Sequence, residues 1–588
     1  MSKPAKNLNR AAVLGLGAAV VLAIAPALSV QAAPGKITAK AIPCAGDNGG
    51  LTLSPGFCAK VFADNLGHIR HLTVAPDGVV YANTWSGGYY PGGKPPADGF
   101  LVALKDSDGD GAADQTARFG ETPAQGAAGG TGVAIYQNHL YAEVNDRIVR
   151  YALAPGALVP TGPAEVVVSG LPLKGNHPMH PIVIDAKGGL FIDLGSATNS
   201  CQSKDRMTGV PGIDPCVELE TRAGIWRYDA NRLGQTFSPA ERYATGLRNG
   251  EGLSLDAAGR LFATQHGRDQ LPSSWPKLYP DLAAATELPA EELVQLRQGG
   301  DYGWPYCYYD GVQKKLVLAP EYGGDGGKAV GRCADKLAPV AAFPAHWAPN
   351  ALAIYTAKAF PAPYQGGAFI AFHGSWNRAP APQDGYNVVF QPLKDGKASG
   401  AFVVFADGFV GAKKDPGKAA YRPMGLAVAP DGALYISDDV KGRIWRVTWN
   451  GGAAPAKIAA APAPVMAPPP APTAAAEVPK VYPLPPGATT DQLALGGRIY
   501  HGEAAGGTCA GCHGADGKGG PLGPDLTAGT WMWSDGSLAG LTTTIGQGVS
   551  QPKKYRNPMP AMGGATLSPD ELKALSVYVW SLGHGGGK

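Results

Sequence analysis

HLTVAPDGVVY, the stretch from His71 to Tyr81, decides the fold. Two short apolar runs flank a Pro-Asp-Gly turn, and Asp-Gly between apolar runs is a strong hairpin signal because glycine reaches positive φ without steric cost. Residues 425–435, GLAVAPDGALY, repeat the pattern closely. The two stretches predict a recurring β-hairpin.

Four looser copies of this hairpin lie between the two clear ones, at residues 132–144, 181–195, 252–267 and 351–372. Hairpins spaced roughly 50–110 residues apart indicate an array of small sheets. A ring of such sheets leaves only short edges exposed. The fold class of the β region is therefore predicted as an all-β six-bladed β-propeller, with two stacked β-sandwiches as the alternative.

Two further features of the β region follow from the spacing. Residues 441–447, KGRIWRV, are predicted to be the outer strand of the last blade. The long interval of residues 268–350 is predicted to carry an insertion, which a disulfide between Cys307 and Cys333 would close.

Composition divides the chain into four parts. Residues 1–33 have a basic start, an apolar stretch and small residues at the end, which predicts a secretory signal peptide; a membrane anchor is the alternative. Residues 34–451 form the propeller, and residues 452–486 form an Ala/Pro-rich linker that cannot bury a core. Residues 487–588 form a further, C-terminal domain. We expect an exported, periplasmic protein with no integral membrane segment once the signal is removed.

Net charge bears on the expected binding partners, and cysteine usage bears on the compartment. The net charge is +3 with no Lys/Arg block, which gives no reason to expect nucleic-acid binding. Six of the eight cysteines lie upstream of residue 340 in sequence-local pairs, as expected in an oxidising compartment. The simplest predicted pairing joins neighbours: Cys44 with Cys58, Cys201 with Cys216, and Cys307 with Cys333.

The last two cysteines belong to a haem attachment motif, CAGCH at residues 509–513. Cys509 and Cys512 stand one helical turn apart and can bond the two vinyl groups of haem c, while His513 ligates the iron. A zinc ribbon would need a second pair of ligands, and no further cysteine follows the motif. The sequence predicts covalently bound haem.

The second iron ligand is predicted in PMPAMG, residues 558–563. This segment resembles the Met-Pro-Ala stretch of class I bacterial cytochromes c, which implies Met559; Met562 is the alternative. Residues 487–588 are therefore predicted to be a small all-α class I cytochrome c domain that follows the propeller. Met/His ligation raises the reduction potential and suits an electron carrier. A capping box at Ser568 predicts the last helix, and Gly496 in an earlier helix would allow the two helices to cross closely.

Five stretches of the β region resemble the soluble quinoprotein sugar dehydrogenases. They are GLRNGEG at 246–252, QHGRD at 265–269, GGDYGWP at 299–305, FHGSWNR at 372–378 and RPMG at 422–425. The likeness covers most of residues 40–450 and leans towards the sorbosone/pyranose dehydrogenase branch. It implies a six-bladed propeller that binds pyrroloquinoline quinone (PQQ) and oxidises sugars.

The resemblance implies a catalytic base in GNHPMH, residues 175–180. His177 falls where the catalytic histidine of the family lies, and histidine titrates near neutrality, as a base for this reaction requires. Members of the family often carry Thr-Arg shortly after that histidine, whereas this chain has His180, which is the alternative base.

The cofactor's three carboxylates require guanidinium groups, which bind carboxylates in pairs of hydrogen bonds. The resemblance implies a set of PQQ-binding residues: Arg248, Asn249, Arg378, Arg422 and, less directly, Arg70. It also implies a calcium ion at the quinone, held by the backbone carbonyls of Gly267 and Arg268, which acts as a Lewis acid.

A second calcium site follows from DSDGDG, residues 106–111. Asp106, Asp108, Asp110 and Asp114 place carboxylates around a glycine turn, as in an EF-hand loop, although Ala117 stands where the bidentate Glu is expected. We expect a structural calcium loop on the propeller, with a merely acidic hairpin as the alternative.

These features together predict a periplasmic quinohaemoprotein dehydrogenase. It would oxidise C1 of an aldose or related sugar and pass electrons through PQQ to its own haem, then to an external acceptor such as a cytochrome or a membrane quinone chain. The alternatives are a metal-dependent lactonase-type propeller and a non-catalytic binding propeller with an electron-transfer cytochrome. The sequence leaves the sugar, the acceptor and the oligomeric state open.

Overall fold

A computed structural model describes residues 44, 46–84, 98–121, 130–378, 382–412, 414, 419–451, 482–502, 504–505, 509–514, 516–519, 523–555, 559–565 and 567–585. The predicted signal peptide and nearly all of the predicted linker lie outside these residues. Among the helices of the described part, none has the length and apolar character needed to cross a bilayer.

Six sheets surround a common axis, antiparallel except for a parallel outermost pair in blades 2 and 3, and the innermost strand of each sheet contacts the innermost strands of its two neighbours. Blade 1 consists of Ile69–Val74, Val80–Thr84, Leu101–Lys105 and Gln115–Phe119; blade 2 of Val133–Tyr136, His139–Val144, Arg147–Ala152, Glu165–Ser169 and Gln235–Thr236; blade 3 of Ile182–Ile184, Gly189–Leu194, Gly224–Asp229, Arg242–Thr245 and Gly300–Asp301. Blade 4 consists of Leu253–Leu255, Leu261–Gln265, Glu291–Gln295 and Ala341–Phe343; blade 5 of Pro349–Ile354, Ala368–Phe372, Asn387–Gln391, Val403–Asp407 and Thr52–Leu53; blade 6 of Pro423–Val428, Leu434–Asp438, Ile444–Trp449 and Phe57–Ala63. The predicted six-bladed propeller is confirmed.

The last blade differs from the prediction in its outer edge. The strand Ile444–Trp449, expected outermost, is the third strand of blade 6, and the N-terminal strand Phe57–Ala63 pairs with it from outside. This pairing joins the two ends of the propeller sequence and so closes the ring. The large aromatic core between blades 5 and 6 includes Phe57, which packs edge-on against Phe360 and Phe405.

The interval after the fourth hairpin contains two short helices, α1 (Leu271–Ser274) and α2 (Leu282–Ala285), and a hairpin of Cys307–Asp310 with Lys315–Leu318. A second small hairpin, Leu393–Lys394 with Lys397–Ala398, lies outside the blades. The disulfide from Cys307 to Cys333 closes the inserted hairpin, and the other two predicted disulfides are also present.

The C-terminal domain is helical, with α3 (Thr490–Tyr500), α4 (Cys509–His513), α5 (Leu538–Gln547) and α6 (Pro569–His584). Ser568 caps α6, and the reciprocal hydrogen bond from its backbone N–H to Glu571 completes the predicted capping box. Helices α3 and α6 cross where Gly496 faces α6, because a Cβ at that position would lie 2.0 Å from the carbonyl oxygen of Ala574. Only glycine permits this crossing.

Candidate functional site

The candidate haem site is a largely apolar cavity lined mainly by residues of the helical domain. Cys509, Cys512, His513 and Met559 all line it, and the two cysteines are the ones left outside the disulfides. The Nδ1 of His513 lies 3.0 Å from the carbonyl oxygen of Pro524. Because that oxygen can only accept, Nδ1 carries the proton and Nε2 keeps a lone pair for a metal.

The two methionine candidates differ in their surroundings. Met559 lines the cavity, and its backbone pairs with Val549 in a short β-bridge. Met562 is not among the residues that line the cavity, and its sulfur accepts a hydrogen bond from the backbone N–H of Leu567 at 3.4 Å. The geometry therefore supports Met559 as the ligand.

The second candidate site lies at the mouth of the propeller, where strands of blades 3 to 6 end. His177 is buried there, and its Nδ1 lies 2.9 Å from the carbonyl oxygen of Ser196. Burial lowers the pKa of His177 well below 6.5, and the charge of Arg248 lowers it further. The imidazole is thus neutral, with the proton on Nδ1 and a lone pair on Nε2.

His180, the alternative base, faces a different environment. Its Nδ1 lies 3.0 Å from the Oε1 atom of Glu143, and its Nε2 lies 3.1 Å from the carbonyl oxygen of Pro172. The side chain is 1% exposed. Both ring nitrogens therefore contact protein oxygens, and the structure favours His177 as a base.

Arg248 and Asn249 lie beside His177. Gly195 makes room for this group, since a Cβ there would lie 2.5 Å from the Cβ of His177 and 2.9 Å from the Oδ1 atom of Asn249. That Oδ1 is buried and accepts no hydrogen bond from a described residue. Arg248 donates to the Oδ2 atom of Asp269 at 2.7 Å and to the carbonyl oxygen of Gly267 at 3.1 Å.

The other predicted arginines are distributed around the mouth and the channel below it. Arg422 donates to the backbone carbonyls of residues 373 and 374 and forms no salt bridge within the described part of the chain. Arg378 is paired with Glu287 and also donates to the carbonyl oxygen of Ala345. Arg70 lies deeper, buried against Asp439 and Glu251.

Histidines connect these groups across the mouth. His266 lies near enough to His177, and His373 near enough to His266, that a proton on either one would lower the pKa of its neighbour. Burial, with a contribution from Arg248, lowers the pKa of His266 to about 3, and burial together with Arg422 lowers that of His373 to about 4. The mouth is therefore lined by neutral imidazoles between cationic guanidiniums.

The predicted calcium positions have unequal surroundings. At the mouth, the Gly267 carbonyl already accepts from Arg248, and the Arg268 side chain turns away to the buried Glu321 at 2.7 Å. Near the start of the propeller, Asp106, Asp108 and Asp110 bring carboxylate oxygens within 4.8 Å of one another, a group that could hold a cation.

Asp114 does not join that carboxylate group. Its carboxylate accepts hydrogen bonds from the hydroxyl of Ser107 at 2.5 Å and from the same residue's backbone N–H. Asp114 as a calcium ligand therefore stays a prediction, which the grouping of the other three carboxylates does not include. The turn of residues 106–111 brings the three nearer carboxylates together without it.

Comparison with known proteins gives a family match for each of the two folded regions. Residues 51–450 match the family model described as TrAA12-like, and residues 494–583 match the model for cytochrome c. The first match covers well over half of the chain. The chain belongs to the TrAA12-like family. The predicted resemblance of the propeller, and that of the C-terminal domain, are both confirmed.

Several proteins and solved structures are similar to this TrAA12-like chain. The pyrroloquinoline quinone-dependent pyranose dehydrogenase of Coprinopsis cinerea is 27% identical over 281 residues, which are 41% of this chain and 37% of the relative. The holo form of its PQQ domain covers 68% of this chain and 97% of its own, at 19% identity and a TM-score of 0.51. The calcium structure of the Trichoderma reesei AA12 enzyme covers 70% and 99%, at 17% identity and a TM-score of 0.54.

These structural likenesses establish the fold. The chain spans between 26% and 49% of the length of the curated relatives that it matches.

Sequence reasoning missed Asp269 as a member of the mouth. This carboxylate accepts from Arg248 at 2.7 Å, from Arg206 at 2.8 Å and from the side-chain amide of Asn377 at 2.8 Å. Burial alone would raise its pKa, but the two arginines hold it well below the usual range. Asp269 ends the QHGRD stretch at 265–269, so its place in a stretch that carries the resemblance was the available signal.

Proposed function

We propose that this TrAA12-like chain is a sugar dehydrogenase that uses PQQ and delivers electrons to its own c-type haem. The observation that carries the proposal is His177 with its lone pair free at the funnel mouth, in a chain that also holds a haem cavity lined by Cys509, Cys512 and His513. The name of the pyranose dehydrogenase relative supports the cofactor and the substrate class.

Two observations support the binding of an anionic quinone at the mouth. Arg422 lies there without a salt bridge in the described part of the chain, and a guanidinium in that state can bind a carboxylate. The buried Oδ1 of Asn249 lacks a described donor. Arg248 would hold the group together with Asp269, whereas Arg378 would first have to leave Glu287.

PQQ, when bound, accepts a hydride from a sugar and releases the two electrons one at a time. The part of this chain is to take the proton: Nε2 of His177 would accept it from the C1 hydroxyl while hydride leaves C1. The Ser196 carbonyl holds the ring in the tautomer that this role requires. The sugar is thereby oxidised by two electrons to a lactone.

The helical domain supplies the haem site. Cys509 and Cys512 would hold the porphyrin, and His513 and Met559 would ligate its iron. We also propose calcium at the Gly267–Arg268 carbonyls and a structural calcium ion at Asp106, Asp108 and Asp110. Of the two, the carboxylate group has the stronger geometric support.

The proposed compartment is the periplasm, since haem attachment to exported chains, disulfides and the predicted signal peptide all agree with it. An external one-electron acceptor, such as another cytochrome or a membrane quinone chain, would reoxidise the haem.

The experiment that tests this function uses the purified haem-loaded protein. Calcium and PQQ are added, and aldoses, sorbosone and simple alcohols are offered while haem absorbance is followed. We expect haem reduction with at least one sugar and none without PQQ. Haem that stays oxidised with every substrate, in protein shown to bind PQQ, would overturn the proposal and favour a non-catalytic propeller.

A further inference from the structure

The haem cavity is not lined by the helical domain alone. Gln270, from the propeller segment just before α1, lines it together with Cys512 and His513. The Oε1 atom of Gln270 is buried and accepts no hydrogen bond from a described residue. Trp376, also from the propeller, packs against the apolar core of the helical domain. The two domains therefore meet at the haem cavity.

Charged residues at this interface include Asp269 and the arginine that donates to it. Arg206 donates to the Oδ2 atom of Asp269 at 2.8 Å, and Asp269 directly precedes Gln270, which lines the haem cavity together with Cys512. Arg206 and Asp269 are little exposed, with 13% and 17% of their side chains accessible. They therefore belong to an interface.

Asp269 also contacts the arginine that lies beside the candidate catalytic base. Asp269 accepts from Arg248 on the same Oδ2 atom, and Arg248 acts electrostatically on His177. The haem-bearing Cys512 and the candidate base are thus separated by Arg248, Asp269 and Arg206. A cofactor bound at Arg248 would lie close to a haem attached at Cys512.

We propose that Arg206, Asp269, Gln270 and Trp376 form a docking patch that holds the Cys512 edge of the haem over the funnel mouth. This proposal rests on the proposed function. The docking patch would shorten the distance that each electron travels from the funnel to the haem iron. The iron takes one electron, Fe(III) to Fe(II), so an external one-electron acceptor must reoxidise it before the second arrives. The docking patch is a positioning surface and touches no reacting sugar atom.

The first test measures shape and needs no enzyme turnover. Small-angle scattering is recorded on the haem-loaded protein without PQQ, for the native chain and for Arg206→Ala and Trp376→Ala. We expect a compact native particle and a larger radius of gyration in both variants, since Trp376→Ala removes packing against the helical domain and Arg206→Ala removes the hydrogen bond that holds Asp269 beside Gln270. Arg232→Ala is the control, because Arg232 is an exposed arginine at a turn of the propeller surface. A native particle with two separated bodies would overturn the proposal.

The second test separates docking from sugar oxidation. In the PQQ-loaded protein, sugar-driven reduction of the haem should slow by about tenfold in Trp376→Ala, the effect of a tenfold weaker docking equilibrium. Reduction of a small dye that reaches the funnel directly should keep its native rate. Unchanged haem reduction in Trp376→Ala and in Arg206→Ala would overturn the docking patch. If no sugar reduces the dye in any protein, the proposed function fails, while the scattering result still decides the docking patch.

Discussion

Replacing His177 with glutamine tests the candidate base most sharply. The glutamine amide can still donate to the Ser196 carbonyl, which accepts from Nδ1 at 2.9 Å in the native chain, so the loop should keep its conformation. What is lost is the lone pair on Nε2. General-base catalysis is worth about 10²- to 10⁴-fold. Each tenfold is about 1.4 kcal/mol, so the barrier should rise by about 3–5 kcal/mol.

The assay is stopped-flow haem reduction at saturating sugar, with PQQ affinity measured separately. We expect kcat to fall by that factor while PQQ affinity stays unchanged, because His177 is assigned to proton transfer and not to cofactor binding. A loss of kcat smaller than about threefold would refute the reasoning. A similar loss accompanied by weaker PQQ binding would instead assign His177 to the cofactor.

The pH profile of the same reaction gives an internal check. Burial and Arg248 lower the pKa of His177 well below 6.5, so the base is in its neutral, competent form at and below that pH. As pH falls, kcat/KM should decline only once the lowered pKa is approached. In His177→Gln that acidic limb should disappear.

Three further predictions concern the rest of the chain. Gly496→Ala should lower the stability of the helical domain by about 1–3 kcal/mol in thermal unfolding, because its Cβ would lie 2.0 Å from a backbone oxygen of α6; Gly497→Ala meets only a ring at 3.2 Å and should be much milder. Met559→Ala should lower the haem reduction potential, whereas Met562→Leu should leave it nearly unchanged, as measured by redox titration. Asp106→Asn should weaken calcium binding to the PQQ-free protein by isothermal titration; calcium affinity equal to the native value would exclude the loop.

The elements that could be predicted from the sequence are those fixed by local chemistry. The turn at Asp77-Gly78, the capping box at Ser568 and the haem motif each depend on residues within a few positions of one another. The glycine that lets α3 cross α6 could be found because it stands in an otherwise regular helix.

The parts that could not be predicted depend on distant residues meeting. The strand Phe57–Ala63 closes the propeller by pairing with Ile444–Trp449, almost 400 residues further along the chain, and no local pattern specifies that partner. Asp269 is likewise important through Arg206 and Asn377, which come from separate loops. These residues can be read in the sequence, but only the closed propeller brings them close together.

The central claim is that the propeller oxidises a sugar and the haem receives the electrons. Its most direct measurement is an anaerobic titration of the PQQ- and calcium-loaded protein with a sugar that supports turnover, followed by haem absorbance. Each sugar supplies two electrons and each haem accepts one, so the haem should be fully reduced at or before one equivalent of sugar per protein. Haem that remains oxidised after a full equivalent of sugar, in protein with PQQ bound, would contradict the account.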